Sequence, residues 1–285
     1  MKTRYPIYVI SKGRVASCLT ADFLIQDGCP FRLVVEPQEA GAYAEIYGRD
    51  RLEVLPFSNL GLGSIPARNW VWEHSRQGGH ARHWILDDNI KHISRRYQGY
   101  RIRCNAIPAL RASEDFFDRY ENVAIGGLNY TMFSFKGIES SDGKGRPPYL
   151  LNCHVYSCLC IDNEIPFRWR GRYNEDTDLC LQVLSAGLCT VQLNVFLIAK
   201  VQTLKMKGGN SDQLYQGDGR LRMARDLERA WPGVVTVKRR FGRAQHHVSI
   251  NAYQLISTSG NDVCLGDDDR GFDDLTTNNG GRLGK

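Results

Sequence analysis

The sequence predicts an α/β protein built on a mainly parallel sheet that is flanked by helices. Over the first hundred residues, short apolar runs typical of strands alternate with segments of helical periodicity. Such alternation indicates a parallel sheet, because each helix carries the chain back across one face of the sheet. The alternation ends near residue 100, and the pattern then predicts a mixed β half. We expect both halves, residues 1–100 and 101–253, to form a single domain.

The first half is predicted to contain four strands joined by three helices. Gly28 and Gly48 stand where the first two helices end, and Pro66 fits the first turn of the third. The carboxyl ends of parallel strands meet at one edge of a sheet, which is where open α/β folds bind ligands. The predicted strands are residues 5–10, 31–35, 52–55 and 83–86, and the predicted helices are 17–26, 39–47 and 65–75.

The second half is predicted to be less regular. Residues 137–149 are rich in glycine, serine and proline, which indicates a loop, and residues 254–285 are polar, carry a formal charge of −3 and suggest a disordered tail. The predicted helices are 113–120, 177–186 and part of 214–231, and the predicted strands are 123–127, 129–135, 151–161, 190–199, 234–237 and 246–250, with an extended piece at 167–169.

Composition restricts the class of protein. No apolar run is long enough to cross a membrane, so no membrane contact is expected. The nine cysteines are scattered and no secretory segment precedes them, so we expect reduced thiols and a cytoplasmic location. The formal charge is +6, and residues 1–253 alone carry +9. That excess is compatible with a nucleic-acid partner and, equally, with ordinary solubility charge.

The tripeptide Asp87-Asp88-Asn89 directly follows the fourth predicted strand. Two adjacent carboxylates repel each other unless a cation neutralises them. Hard oxygen ligands suit Mg²⁺ or Mn²⁺, and such a metal commonly carries a substrate diphosphate. The alternative is that these residues only cap the following segment, since Asp and Asn are common N-caps.

Three basic segments suggest contacts with phosphate. Residues 168–173 interleave arginines with aromatic residues, which suits phosphate contacts and base stacking, and residues 238–243 form a second basic cluster. Lys207 belongs to a glycine-rich loop, 205–210, that suits phosphate or DNA. Each segment is equally typical of a solvated surface. The predicted DNA contacts are Arg168, Trp169, Arg170, Arg172, Lys238, Arg239 and Arg240.

Two other motifs are rejected. Cys153, His154, Cys158 and Cys160 fall within one predicted strand, where they cannot close a tetrahedral zinc site. The Gly-x-Gly of residues 61–63 is too short for a dinucleotide fingerprint.

In their order and spacing, these motifs resemble glycosyltransferases of the GT-A type. Segments 84–90 and 172–179 look most like the TET-associated glycosyltransferase family, and the resemblance covers about residues 3–253. That family occurs in phages and is linked to DNA base hypermodification. The resemblance implies a GT-A-like, Rossmann-like fold with a nucleotide-binding half and an acceptor-binding half, and host cytoplasm as the location if the gene is a phage's.

The resemblance also implies roles for single residues. Asp88 and Asn89, with His246 or His247, would hold Mn²⁺ or Mg²⁺. Asp176 would be the general base, with Glu175 as the second choice. Their alternative role is as first-turn acids that a helix dipole favours. The residues expected to bind the nucleotide sugar are Ser11, Lys12, Gly13, Arg14, Glu36, Arg68 and Asp87, together with Lys207.

The implied reaction is transfer of a sugar from a UDP-sugar to a hydroxymethylated pyrimidine, 5-hydroxymethylcytosine, in phage DNA. A base at Asp176 implies inversion at the anomeric carbon. Two alternatives stay open: a nucleotidyltransferase, which also uses acidic metal sites at sheet edges, and a non-catalytic protein that binds modified DNA.

Overall fold

A single large sheet organises the part of the chain that the computed structural model describes, which is residues 2–133, 147–171, 174–201, 206, 208, 219–240 and 243–249. The strands are β1 Ile7–Ile10, β2 Arg32–Val35, β3 Leu52–Val54, β4 Arg82–Asp87, β5 Ile90–Tyr97, β6 Tyr100–Cys104, β7 Val123–Tyr130, β8 Tyr149–Leu151, β9 Cys158–Asp162, β10 Cys189–Lys200, β11 Val235–Arg240 and β12 Arg243–Val248. The helices are α1 Leu19–Gln26, α2 Ala40–Tyr47, α3 Ile65–Gln77, α4 Ala106–Phe117, α5 Glu175–Ser185 and α6 Gly219–Ala230.

The first four strands form the parallel half in the order β3-β2-β1-β4. All seven elements predicted for this half are present, with ends that differ by a few residues at most. Alternate residues of these strands bury on opposite faces, as the period of two in a strand requires. One face packs against α1, α2 and α4, and the other packs against α3 and α5. The predicted class, a mainly parallel sheet flanked by helices, is confirmed.

The second half of the sheet continues from β4 in the order β9-β7-β10-β5-β6, and β8 pairs with β10. β9 is antiparallel to both β4 and β7, while β10 is parallel to β7. β4, β7 and β10 therefore all run in one direction. Their last residues, Asp87, Tyr130 and Lys200, come to the same edge of the sheet, where β9 begins after Ser157.

The hairpin β5–β6 was not predicted. Its turn, Gln98-Gly99, has positive φ at both residues (47° and 76°), the conformation that two-residue hairpins use. Asn or Asp usually fills the first of these positions, so Gln98 gives a weak signal. The strands carry four arginines and one lysine, which hides the alternation that marks a half-buried strand.

Other boundaries were wrong. The two strands predicted at 123–127 and 129–135 are one strand, β7, followed by a 3-10 turn at Thr131–Phe133. The strand predicted at 151–161 is divided into β8 and β9, because Asn152 and Ser157 both have left-handed φ (52° and 62°). The helix predicted at 113–120 is α4, which begins earlier because the Asn105 side chain accepts a hydrogen bond from the Ile107 N–H.

The remaining expectations have simple outcomes. Residues 167–169 form no strand, although they are partly or fully buried in the connection before α5. The eight described cysteines are all free. No helix in the described ranges is long and apolar enough to cross a membrane. The predicted tail, 254–285, and most of the predicted loop, 134–146, lie outside the described residues.

Candidate active site at the carboxyl edge of the sheet

Asp87, which ends β4, and Asp88, which begins the turn after it, point to different sets of partners. The carboxylate of Asp88 turns toward the loop after β1, and the carboxylate of Asp87 turns toward β9 and β10. Successive side chains on an extended chain point to opposite sides, so adjacent acids at a strand end divide in this way. The edge therefore carries two connected clusters.

Asp88 belongs to the first cluster, which the β1 loop forms. Ser11 Oγ donates to Asp88 Oδ2 at 2.9 Å, and Arg14 Nη1 lies 2.5 Å from Asp88 Oδ1. Tyr43 is hydrogen-bonded to the Ser11 hydroxyl at 2.7 Å. Burial raises the pKa of Asp88, although Arg14 and Ser11 act in the opposite direction. The predicted nucleotide loop and the predicted metal acid are thus in direct contact.

The outer part of this loop contacts the end of β2. Lys12 Nζ lies 2.8 Å from Glu36 Oε1 and 3.0 Å from Asn59 Oδ1. The Gly13 N–H donates to Glu39 Oε1 at 2.7 Å. Four predicted nucleotide-binding residues, Ser11, Lys12, Gly13 and Glu36, therefore lie along one rim.

Asp87 belongs to the second cluster. Lys200 Nζ and Ser157 Oγ lie 2.6 Å and 2.7 Å from Asp87 Oδ2, and 2.6 Å from each other. Arg68 Nη2 lies 3.0 Å from the other carboxylate oxygen. Burial alone would raise the pKa of Asp87, but Lys200 and Arg68 outweigh it and hold that pKa below its ordinary value.

Arg68 connects Asp87 to the start of α5. Its guanidinium lies 3.5 Å from Glu175 Oε1 and 3.7 Å from Asp176 Oδ1, and it stacks over the ring of Trp169 at 4.6 Å. The Arg68 residue is only 6% exposed, so these charges interact with little screening by solvent. One cation thereby joins the strand acid and the helix acids that the sequence analysis treated separately.

Asp176 has the electrostatic character of a proton acceptor. Burial raises its pKa to about 7; Arg68 opposes this effect, and Glu175 and Asp87 add to it. Its Oδ1 is buried and accepts no hydrogen bond. A carboxylate whose pKa is raised toward neutrality, and which has one oxygen that accepts no hydrogen bond, suits general base catalysis.

Sequence reasoning missed three polar residues of this edge. Lys200 ends β10, Tyr130 ends β7, and Ser157 precedes β9, with the Tyr130 hydroxyl 2.8 Å from Ser157 Oγ. For Lys200 the available signal is its position at a strand end, since it directly follows the strand predicted at 190–199; Tyr130 and Ser157 fell inside predicted strands. That signal was not usable without knowing that β7 and β10 run parallel to β4.

The oxygen donors at the end of β4 fit a hard divalent cation. Asn89 Oδ1 is buried and accepts no hydrogen bond, and Asp88 adds a carboxylate. Within the described ranges, no group of three His, Cys, Asp or Glu side chains is placed to hold a metal. One or two protein ligands are still sufficient for Mg²⁺ that also binds substrate phosphates.

The two histidines predicted as metal ligands lie on β12, on opposite faces of the hairpin. His246 pairs with Val237 and His247 with Thr236. His246 lies close enough to His154 to act on its charge: burial, and then His246, lowers the pKa of His154 to about 4. In the described chain, the histidines form no metal-binding group with the acids of β4.

The predicted DNA contacts before α5 are placed unequally. Trp169 is 2% exposed and packs under Arg68, so its indole offers no face to a base, and that prediction is corrected. Arg168 packs over Trp72 at 4.8 Å. Arg170 is exposed, and its Nε lies 2.9 Å from Asp178 Oδ2.

Of the remaining predicted contacts, Lys238 and Arg239 are exposed on β11. Arg240 ends the same strand, but its side chain is outside the described part of the structure. Arg172 and Lys207 also lie outside the described residues.

The chain matches a known protein family over most of its length. A family model described as TET-Associated Glycosyltransferase matches residues 5–209, which is most of the chain and includes both clusters. No curated protein matches the chain.

Proposed function

Because the chain belongs to the TET-associated glycosyltransferase family, we propose that it transfers a sugar from a UDP-sugar to the hydroxymethyl group of 5-hydroxymethylcytosine in DNA. The family's description names a glycosyltransferase. The donor, the acceptor and the stereochemical course are our proposal.

The observation that carries the proposal is the bridge that Arg68 makes between Asp87 and the acids of α5. Inverting sugar transfer needs a diphosphate site on one side of the anomeric carbon and a base on the other side. Ser11 and Lys12 of the rim, with the neighbouring Arg14, have the donors and cations for a nucleotide diphosphate. The Arg68 guanidinium lies between the carboxylates of Asp87 and Asp176 and contacts both.

In the proposed mechanism, Asp176 accepts the proton of the acceptor hydroxymethyl group. The oxygen of that group bonds to the anomeric carbon as the bond from that carbon to the diphosphate breaks, so the configuration inverts. Lys200 and Arg14 supply positive charge near the departing diphosphate. Asp88 and Asn89 would hold the divalent cation, which supplies further charge stabilisation to the leaving group.

The test is an assay with DNA that contains 5-hydroxymethylcytosine, a panel of UDP-sugars and Mn²⁺, followed by mass spectrometry of the digested nucleosides. We expect a mass gain of one sugar on the modified base. Asp176→Asn should lower the rate by about 10²–10⁴-fold, the usual contribution of a general base. Asp50→Asn, which neutralises a side chain that is 80% exposed, is the matched control and should keep the rate.

Other products identify the alternatives. Gain of a nucleotide, with release of pyrophosphate, would establish a nucleotidyltransferase. DNA binding without turnover of any donor would establish a non-catalytic binder. A product that retains the donor's anomeric configuration would contradict the role given to Asp176 as base.

Metal dependence is tested separately. We expect a chelator to abolish transfer and Mn²⁺ or Mg²⁺ to restore it, and Asp88→Asn to raise the metal concentration that half-restores the rate. Full transfer in the chelator would contradict metal dependence while leaving sugar transfer itself intact.

A further inference from the structure

The C-terminal module, which we define as α6 and the hairpin β11–β12 (residues 219–249), lies beyond the family match. The match ends at residue 209 and α6 begins at Gly219. The module carries eight arginines and lysines and two acids, a formal charge of +6, as large as that of the whole chain. The remaining residues are therefore neutral in sum.

The module is attached to the helix that carries the proposed base. Trp231 Nε1 donates to Asp178 Oδ1 at 2.7 Å, and Asn174 Nδ2 donates to the Met223 carbonyl at 3.0 Å. Leu227 and Val235 bury against Leu181 of α5. These contacts fix the position of the module relative to the acceptor side of the site.

The outward side of α6 is an arginine face. Arg222, Arg225 and Arg229 are exposed, whereas Met223, Ala224 and Leu227 are buried. At 3.6 residues per turn, the three arginines fall within an arc of roughly 60° opposite the buried side. Arg229 pairs with Asp226, but within the described chain neither Arg222 nor Arg225 has an ion-pair partner.

The hairpin carries two further exposed cations, close in the chain to its contact with α6. The Val237 N–H donates to Glu228 Oε1 at 2.9 Å, so β11 touches α6 beside Arg229. The exposed Lys238 and Arg239 follow Val237 directly. Every cation of α6 is an arginine. Lysine would keep the helix surface soluble equally well, but the planar guanidinium of arginine fits phosphate oxygens better.

We propose that the arginine face of α6 holds the phosphate backbone of duplex DNA and so presents the acceptor base to the site at the carboxyl edge. The presentation of an acceptor base rests on the proposed function, whereas the binding of the DNA backbone does not. Arg222 and Arg229 are about 10 Å apart along the helix axis, and a DNA strand advances by about 3.4 Å per nucleotide, so the face spans about three phosphates.

The experiment measures the affinity of the full chain for an unmodified duplex at several salt concentrations. Each phosphate neutralised contributes about −0.9 to the slope of log K against log salt concentration. Arg222→Gln with Arg225→Gln is expected to reduce that slope by about 1.8. Lysine at both positions should restore it, because the slope counts charges.

The matched control, Lys2→Gln with Arg49→Gln, removes two exposed cations from the opposite end of the chain and should keep the slope. An unchanged slope in the arginine variant, an equal fall in the control, or failure of the lysines to restore the slope would each overturn the proposal. The duplex is unmodified and no sugar donor is present, so the binding result does not depend on catalysis. If the separate transfer assay showed no product, only the proposed function would be contradicted.

Discussion

Arg68 shows how one residue can make a site out of distant segments. Asp87 and Asp176 are 89 positions apart in the chain, and the same guanidinium contacts both. Removing one partner of a buried ion pair leaves an uncompensated charge, which is strongly destabilising. Arg68 is therefore as much a structural residue as a functional one, and activity tests belong at its partners.

The pH dependence of transfer should report the titration of Asp176. Its pKa is raised to about 7, chiefly by burial, so the carboxylate form that accepts a proton is lost below neutrality. We expect kcat/KM to rise tenfold per pH unit up to about pH 7 and then to level. Since the folded pKa lies above the ordinary 3.8, this group also favours the folded state at low pH, and that contribution is lost as the pH rises through 7.

Glu175→Gln provides the internal control for that assignment. Glu175 is one of the charges that raise the pKa of Asp176. Neutralising Glu175 should therefore shift the rise of kcat/KM with pH to lower pH. A rise that stays in place, with the rate otherwise preserved, would show that another group titrates.

Lys200 should stabilise the protein in a pH-dependent manner. Its ammonium is the main cause that lowers the pKa of Asp87, and its side chain is only 13% exposed. We expect Lys200→Met to lower the free energy of unfolding at pH 7 by about 1–3 kcal/mol, less than for an isolated buried pair because Arg68 still contacts Asp87. A lowered carboxylate pKa stabilises above the unfolded value, so the difference should shrink as the pH falls below 3.8.

Urea unfolding at several pH values measures this difference. The control is Lys12→Met, which breaks a pair that is 42% exposed on its lysine side and should cost less than about 1 kcal/mol. An equal loss of unfolding free energy in the two variants at every pH would show that the Lys200–Asp87 contact stabilises the protein no more than the exposed Lys12 pair does.

At the scale of the element, β7 depends on having no side chain at Gly127. A Cβ there would lie 2.4 Å from the Cys158 carbonyl oxygen and 2.3 Å from Val155 Cγ1. Backbone of the neighbouring β9 cannot yield cheaply, so Gly127→Ala should destabilise the protein by about 1–3 kcal/mol or more. Thermal or urea unfolding measures the effect.

Gly41→Ala is the opposite case. Gly41 lies within α2, a Cβ there meets nothing within 4 Å, and its φ is not positive. Alanine should stabilise the helix by up to about 1 kcal/mol. Destabilisation by Gly41→Ala, or tolerance of Gly127→Ala, would contradict the packing described here.

Which elements could be predicted depended on how directly the sequence pattern reflects burial. The strands and helices of the first half were predictable because β1, β2 and β4 bury on both faces, and because α1 and α2 end at a glycine while α3 has a proline in its first turn. β5 and β6 were missed because their four arginines and one lysine break the alternation of apolar and polar residues. β8 and β9 were merged because a left-handed φ at Asn152 or Ser157 leaves little trace in sequence.

At the scale of the whole molecule, local pattern identifies elements but not which strands adjoin. The pattern predicted that Ser11 and Asp88 would lie at one edge of the sheet, since both follow parallel strands, and the family resemblance implied that Arg68 joins them. It did not predict Lys200, whose position depends on β9 standing antiparallel between β4 and β7. That pairing joins residues far apart in the chain, and only tertiary packing determines it.

The same arrangement has a consequence for synthesis. The outer edge of β4 stays open until β9 emerges, about 70 residues later. At 5–20 residues per second, a ribosome takes roughly 4–14 s to supply that partner. For this interval the nascent chain presents an apolar strand with unpaired amides, the kind of edge that aggregates. The rate of translation between residues 88 and 157, which leaves no mark on the finished structure, therefore sets how long the growing chain exposes this edge.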